Sequence, residues 1–282
     1  MCVFTNKQIL EIAMEQSAVD LGCRAQDFTS EKNVIVSSRK DENCRRYLEL
    51  PFFCNLVSYG GNIVASIDPQ IEEIVRSYID RYPAEHCFET PNFHVLNDAL
   101  APFGMRICFM AEYFLPDVRY LDEERVGRMR GQVEKEGFVF RLLAQEDFGP
   151  LYQPRWSNAL CEKRRELDVL GVGVYDGEEL VGLAGCSADC EDMWQIGVDV
   201  LPACRTRGIA SAMTGTLALE ILRRGKVPFY CAAWSNIKSV RNAIRAGFRP
   251  AWVEMTAKSA EFVEKMNSTG TDGGGADCMD AD

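Results

Sequence analysis

The sequence predicts an α/β chain, a mixed sheet flanked by helices with a further α/β domain ahead of it. Three observations carry this. Residues 194–200 are a short apolar run stopped by Pro202, which predicts a strand because proline cannot donate to a continuing ladder. Residues 211–224 follow, with Ala210, Met213, Leu217 and Ile221 at helical spacing and Gly208 in the turn between. Residues 227–233 and then the stretch from Ser235 to Ala246, closed by Gly247, repeat the order of strand, turn and helix.

Composition narrows the class. The chain has 282 residues, 47% of them hydrophobic, which is enough for two modest domains or one large one. Its net charge is −11, and four Asp with no Lys or Arg fall in residues 267–282. Removing those four charges leaves −7, a mildly acidic body that argues against a nucleic-acid face. Twelve Cys without a C-x-x-C pair, and only two His (His86 and His94), complete no zinc pattern and predict no metal. No apolar run is long enough to span a bilayer and no signal peptide is evident, so a cytoplasmic protein with reduced thiols and no membrane partner is expected.

Taken in order, Thr5 or Asn6 caps a first helix with Ile9, Ile12, Ala13 and Val19 on one side, ended by Gly22. Residues 33–38 predict a strand. Residues 50–58 and 62–66 predict two more around Tyr59-Gly60-Gly61. Asp68-Pro69 opens a helix with Ile71, Ile74, Val75, Tyr78 and Ile79 as its stripe. A short strand at 86–89, a helix with Pro91 near its start and Gly104 at its end, and a strand at 106–115 follow. Residues 62–115 therefore repeat the strand–helix–strand–helix–strand order of 194–258. The amino half reads either as a degenerate copy of the second half or as an unrelated α/β unit with the same order. In it, Ile67-Asp68-Pro69-Gln70 stands where Gly208 stands in the second, with an acid and no glycine, so no phosphate turn is expected there. Residues 116–137 are rich in charge and read as an exposed helix or linker. The expected division is an amino-terminal domain at 1–125, a charged linker at 126–137, a second domain at 138–266 and a disordered acidic tail at 267–282. Within the second domain, residues 138–143 predict a strand, 145–152 and 156–165 short helices, and 169–175 with 180–186 a hairpin around Asp176-Gly177.

The turn after Pro202 aims unpaired backbone N–H groups at one point, and the helix behind it adds positive potential. Gly208 and Ala210 keep side chains out of the way, so a pyrophosphate fits on those amides; a helix that merely starts after a glycine turn is the plainer alternative. The pairing of Val198-x-Val200-x-Pro202-x-x-Arg205-x-x-Gly208-x-Ala210 with a downstream strand, Asn236-x-x-Ser239 and Gly247-Phe248 resembles the GCN5-related N-acetyltransferases (GNAT) over residues 138–258. The resemblance implies the GNAT fold, with acetyl-CoA as co-substrate between two splayed parallel strands. By the same resemblance, the backbone of Val198, Asp199 and Val200 pairs with the pantetheine arm, and the amides of Thr206, Arg207, Gly208, Ile209, Ala210 and Ser211 hold the pyrophosphate. Arg205 and Arg207 meet phosphates or stay solvated, and Asn236 lies near the cofactor, caps its helix, or does both.

Acetyl transfer needs a neutral amine. Freeing a lysine-like amine of pKa about 10.4 at neutral pH costs about 4–5 kcal/mol. The tyrosine that many members place seven residues after the motif asparagine is Ala243 here, and the strand glutamate of histone-type members falls near Trp194 or Gln195. Asp199 is the candidate base, with Asp192 the other nearby carboxylate and a solvent-facing or capping role as the plainer alternative. Ser239 is the candidate donor to the leaving thiolate, with Ser235, Cys231, Tyr230 or water as alternatives, or the thiolate leaves unaided. Trp156, Asn158 and Trp234 are candidate acceptor residues, with packing in the core as the plainer alternative for each tryptophan. The expected activity is acetyl transfer to a primary amine of a small molecule or peptide. A non-catalytic acyl-CoA-binding or sensing protein is the alternative, and a homodimer held by the amino-terminal domain is a further expectation.

Overall fold

The computed structural model of the protein describes residues 4–269. In chain order its elements are α1 (Asn6–Leu21), β1 (Val34–Ser37), β2 (Cys54–Ser58), β3 (Val64–Ile67), α2 (Glu72–Ile79), α3 (Asn92–Leu100), β4 (Met105–Pro116), α4 (Glu123–Glu134), β5 (Val139–Ala144), β6 (Asp168–Asp176), β7 (Glu179–Ser187), β8 (Met193–Val200), α5 (Ile209–Arg223), β9 (Val227–Ala232), α6 (Ile237–Ala246), β10 (Phe248–Ser259) and α7 (Ala260–Thr269). The mixed α/β class expected from the sequence holds. Among the described residues no helix is long and apolar enough to cross a membrane.

Two compact units are present, and neither is continuous in sequence. Residues 13–113 and 251–269 form one; residues 4–12 and 114–250 form the other. In the first, β2 and β3 make an antiparallel hairpin, β1 runs parallel to β3, and β10 pairs antiparallel with β2 from Val253↔Ser58 to Thr256↔Asn55. Its core holds Leu56, Ile63, Ala65, Ile67, Ile71, Val75, Leu96, Leu100 and Met255. Asp68 caps the turn into α2, accepting from Gln70 N at 2.9 Å. A buried ionic group sits on β10: Arg45 pairs with Asp20 and donates to Tyr47 Oη at 2.7 Å, while Asn55 donates to Glu254 at 2.9 Å.

The second unit runs β9-β8-β7-β6-β5, antiparallel except for the parallel pair β8/β9. Helix α5 lies on it with Ile209, Ala212, Met213, Leu217, Ala218 and Ile221 buried. Gly247 closes α6 at φ 103°, a left-handed C-cap as the sequence predicts. Asn6 at the amino end belongs to this unit: its side-chain amide donates to Asp117 at 2.8 Å and its oxygen accepts from Val118 N at 2.9 Å.

Several expectations change. The charged stretch 126–137 is no linker, because it supplies most of α4. Val126 and Val133 are 3% and 1% exposed within the core that α5 builds. The expected boundary between 125 and 138 therefore falls inside one unit. The strand expected at 86–89 is a 3-10 turn, Ala84–Phe88, in which the N–H groups of His86 and Cys87 both reach Pro83 O. The internal copy thus loses its middle strand. The helices expected at 145–152 and 156–165 are separate 3-10 turns: Pro150 and Pro154 stand in the first turn of two of them, and the backbone of Arg164 is non-helical inside the last. Of the tail expected at 267–282, residues 267–269 end α7 and the rest lies outside the described residues.

Candidate active site

The site grows from the pair β8/β9. Their parallel register runs Met193↔Val227, Trp194↔Pro228, Gln195↔Phe229, Ile196↔Tyr230 and stops there. On the other side β8 stays paired to β7 as far as Val200↔Gly182. Antiparallel ladders alternate, and Leu201 N–H donates to Val181 O at 2.9 Å. Gly197 and Asp199 therefore turn their peptide groups toward β7, and Val198 and Val200 turn theirs toward the side that β9 has left. The result is a wedge-shaped opening with Tyr230 at its apex and the backbone of Val198 and Val200 along one wall. Arg205 Nε reaches the Val200 carbonyl at 3.0 Å.

At the end of that wall the chain turns into α5. Thr206 and Gly208 both adopt left-handed backbone, φ 69° and 81°. Gly208 does so without a Cβ penalty; for Thr206 this is a strained choice that the turn imposes. Among the described residues, the N–H groups of Thr206, Arg207, Gly208, Ile209, Ala210 and Ser211 meet no backbone carbonyl, and the first bond of the helix is Ala212 N to Gly208 O at 3.1 Å. The Ile209 side chain is 1% exposed and fastens the turn to the core. Ser211 Oγ donates to Gly208 O at 3.1 Å. Arg207 lies over the Phe138 ring, with its guanidinium 3.7 Å from Glu136. A cradle of open amides at a helix N-terminus fits a diphosphate. An open strand edge leading to it fits an amide-bearing arm. The residues present therefore fit an acyl-CoA.

Opposite, residues 156–159 press onto β7 and β8. Gly185 and Gly197 are register partners. A Cβ on Gly197 would stand 1.7 Å from Asn158 O, and one on Gly185 2.1 Å from Ala159 O, so only glycine admits this turn. Asp199 fixes it: its carboxylate accepts from Asn158 N at 2.9 Å, Asn158 Nδ2 at 2.7 Å and Ala159 N at 3.1 Å. Burial raises the Asp199 pKa above the ordinary carboxylate value, against the pull of those donors. With both oxygens engaged, Asp199 anchors this turn, the capping role that is its plainer alternative. The place expected for Trp156 in the acceptor pocket is corrected: it is 1% exposed and packs with Phe148, Leu143, Leu160 and Leu183, so it supports the turn from the core and presents no surface to an acceptor. Asn158 is exposed beside β8, and Trp234, 65% exposed, stands just past β9. Asn236 caps α6, its Oδ1 accepting from Ser239 N at 3.2 Å.

Ser239 sits in the first turn of α6, half-buried, with its Oγ 2.8 Å from Tyr230 Oη. Behind Tyr230 lies Asn242, whose Nδ2 is 3.5 Å from that phenol and 3.0 Å from Thr214 Oγ1. Burial raises the Tyr230 pKa. Asn242 and Thr214 escape a reading of the sequence; the available signal is an asparagine three residues after Ser239, on the side of α6 that carries Ala243 and Ala246.

Residues 112–251 match the family model described as GNAT acetyltransferase. That span takes in α4 and so agrees with its place in the second unit. No curated protein matches the chain. Among solved structures the chain is similar to a GCN5-related N-acetyltransferase-like protein from Streptococcus suis, at 20% identity and TM-score 0.42, covering 61% of this chain and 68% of that one. It is similar to a GCN5-related N-acetyltransferase from Kribbella flavida at 14% identity and TM-score 0.44, covering 89% and 95%. A putative acetyltransferase from Salmonella typhimurium, solved with its cofactor acetyl-CoA, matches at 15% identity and TM-score 0.34, covering 44% and 94%. Through residues 112–251 the chain belongs to the GNAT acetyltransferase family.

Proposed function

We propose that the protein transfers the acetyl group of acetyl-CoA directly to a primary amine of a small molecule or peptide. The observation that carries this is the end of β8/β9 pairing at Ile196↔Tyr230, with the open amides of residues 206–211 at the far end of the freed edge. Those amides hold the diphosphate, each charge-assisted bond contributing about 1.5–3 kcal/mol. Val200 and Val198 pair with the arm, and the Val198 N–H lies where a thioester oxyanion develops. Acetyl-CoA supplies an activated acyl carbon. The chain supplies orientation, exclusion of water by the core under Tyr230, and a hydroxyl, Ser239, for the leaving sulfur. Asn158 and Trp234 flank the opening on the acceptor side. With Asp199 engaged, deprotonation of the amine falls to water at the exposed mouth of the opening.

The engaged carboxylate of Asp199 and the alanine at 243 favour a second reading, an acyl-CoA sensor without turnover. One experiment separates the two. Acetyl-CoA raises the melting temperature under both. Release of free thiol in the presence of a panel of primary amines occurs only under the first. Tight binding with no thiol released by any amine selects the sensor, and absence of any thermal shift removes both.

A further inference from the structure

The polar chain behind the opening has a direction. Asn242 is 8% exposed and Thr214 is fully buried. As placed, the Asn242 amide nitrogen donates to Thr214 Oγ1 at 3.0 Å and to Tyr230 Oη at 3.5 Å, while its Oδ1 meets no partner. Turning the amide over would leave two buried N–H donors unpaired in place of one carbonyl oxygen, the costlier arrangement. Asn242 is therefore the donor and the Tyr230 oxygen accepts. A phenol has one proton, and the other neighbour of Tyr230 Oη is Ser239 Oγ at 2.8 Å, so Tyr230 donates to Ser239. The Ser239 hydroxyl, with its oxygen already accepting, has its own proton left over. Ser239 is half-buried at the start of α6, beside the apex where β9 parts from β8.

We propose that Tyr230 is a positioning residue: polarised by Asn242, it orients the Ser239 hydroxyl so that its proton points at the sulfur leaving the thioester. This rests on the acyl-CoA reading above. In the step itself the amine nitrogen forms the C–N bond, the C–S bond breaks with its electron pair going to sulfur, and Ser239 donates a hydrogen bond to that sulfur while keeping its proton. The proton shed by the amine nitrogen ends on the sulfur, so the products are an amide and a thiol. The device replaces the helix tyrosine that Ala243 excludes. It uses a tyrosine on the strand whose phenol is too buried to ionise readily and so acts by orientation.

The test needs no acceptor. Free CoA bound to the protein carries its thiol at the same place, and a donor aimed at sulfur favours the thiolate. Ultraviolet titration of the thiolate of bound CoA is compared for the native protein, Ser239→Ala, Ser239→Thr, Tyr230→Phe and the double variant Tyr230→Phe with Ser239→Ala. Ser239→Ala and Tyr230→Phe should each shift the thiol–thiolate equilibrium about tenfold toward thiol, the double variant no further, and Ser239→Thr should stay near native. Tyr230→Phe keeps the ring packed against Phe114 and Phe248; if it does not fold, Asn242→Ala takes its place with the same expected direction. A bound thiol that titrates alike in native and Tyr230→Phe overturns the proposal, as do additive effects of the two single variants. Failure of native protein to bind CoA removes the acyl-CoA reading itself. Binding with an unmoved titration removes only the role of Tyr230.

Discussion

The passage from β3 into α2 and the passage from β8 into α5 share an order of elements and offer opposite surfaces. Each residue of β3 is matched on both edges, by β1 from Val34↔Val64 to Ser37↔Ile67 and by β2 from Cys54↔Ile67 to Val57↔Val64. The turn after β3 then closes on itself: Asp68 takes the Gln70 N–H, and Pro69 has none to give. β8 loses its parallel partner halfway, and the turn after it leaves its amides open around two left-handed residues. Strand, turn and helix in sequence therefore do not make an anion site. In the proposed acyl-CoA site an early end to pairing and a turn that does not cap itself supply one, and any relic of duplication in the first passage has lost both.

The comparison can be broken most forcefully at the second turn. Gly208→Glu puts a Cβ at φ 81° and a carboxylate among the open amides, and should weaken acetyl-CoA binding at least about 100-fold by calorimetry. An unchanged Kd would take the turn out of the site. Next in size, Gly197→Ala drives a methyl into the Asn158 carbonyl and should cost about 1–3 kcal/mol in denaturant unfolding, the usual range for forced overpacking. A loss within experimental error would mean the turn at 156–159 yields easily. Asp168 sets a pH background that such measurements must allow for. Its carboxyl is buried, which raises its pKa to about 7, so the folded state holds a proton that the unfolded state releases near the ordinary carboxylate value. Its contribution is complete below that value and lost as pH rises through about 7. Native protein should thus melt several degrees higher at acid than at alkaline pH across this window, and Asp168→Asn should flatten the difference. The same slope in both would place the titration elsewhere. The smallest effect sharpens the contrast from the other side. Asp68→Ala should cost about 1 kcal/mol as a lost N-cap and leave the thermal response to acetyl-CoA untouched. A gain of binding there would show the first turn to be only masked.

What was legible in the sequence was local. Gly208 and Gly247 announce backbone that only glycine adopts freely, Asp68-Pro69 announces a cap, and the 169–186 hairpin announces its turn, because each signal and its cause lie within a few residues. Long-range causes stayed hidden. Trp156 carries no mark of its burial under residues from β5 and β7. The charges of 123–136 concealed Val126, Met129 and Val133, an apolar stripe at helical spacing that faces α5. The chain Thr214–Asn242–Tyr230–Ser239 joins one strand and two helices across separations that no spacing rule covers. The strand expected at 86–89 failed for a related reason: four residues between Pro83 and Pro91 had no neighbouring ladder to recruit them.

Strand β8 serves two clients at once. On the proposed reading Val198 and Val200 give their peptide groups to the donor side, while Gly197 and Asp199 carry the Asn158 turn on the acceptor side. A change of twist or register in these few residues is felt by both substrates together. Steady-state constants for variants along this strand will accordingly shift for donor and acceptor in concert, and a defect confined to one substrate will have to be sought in residues that touch only one wall, Arg207 for the donor or Trp234 for the acceptor.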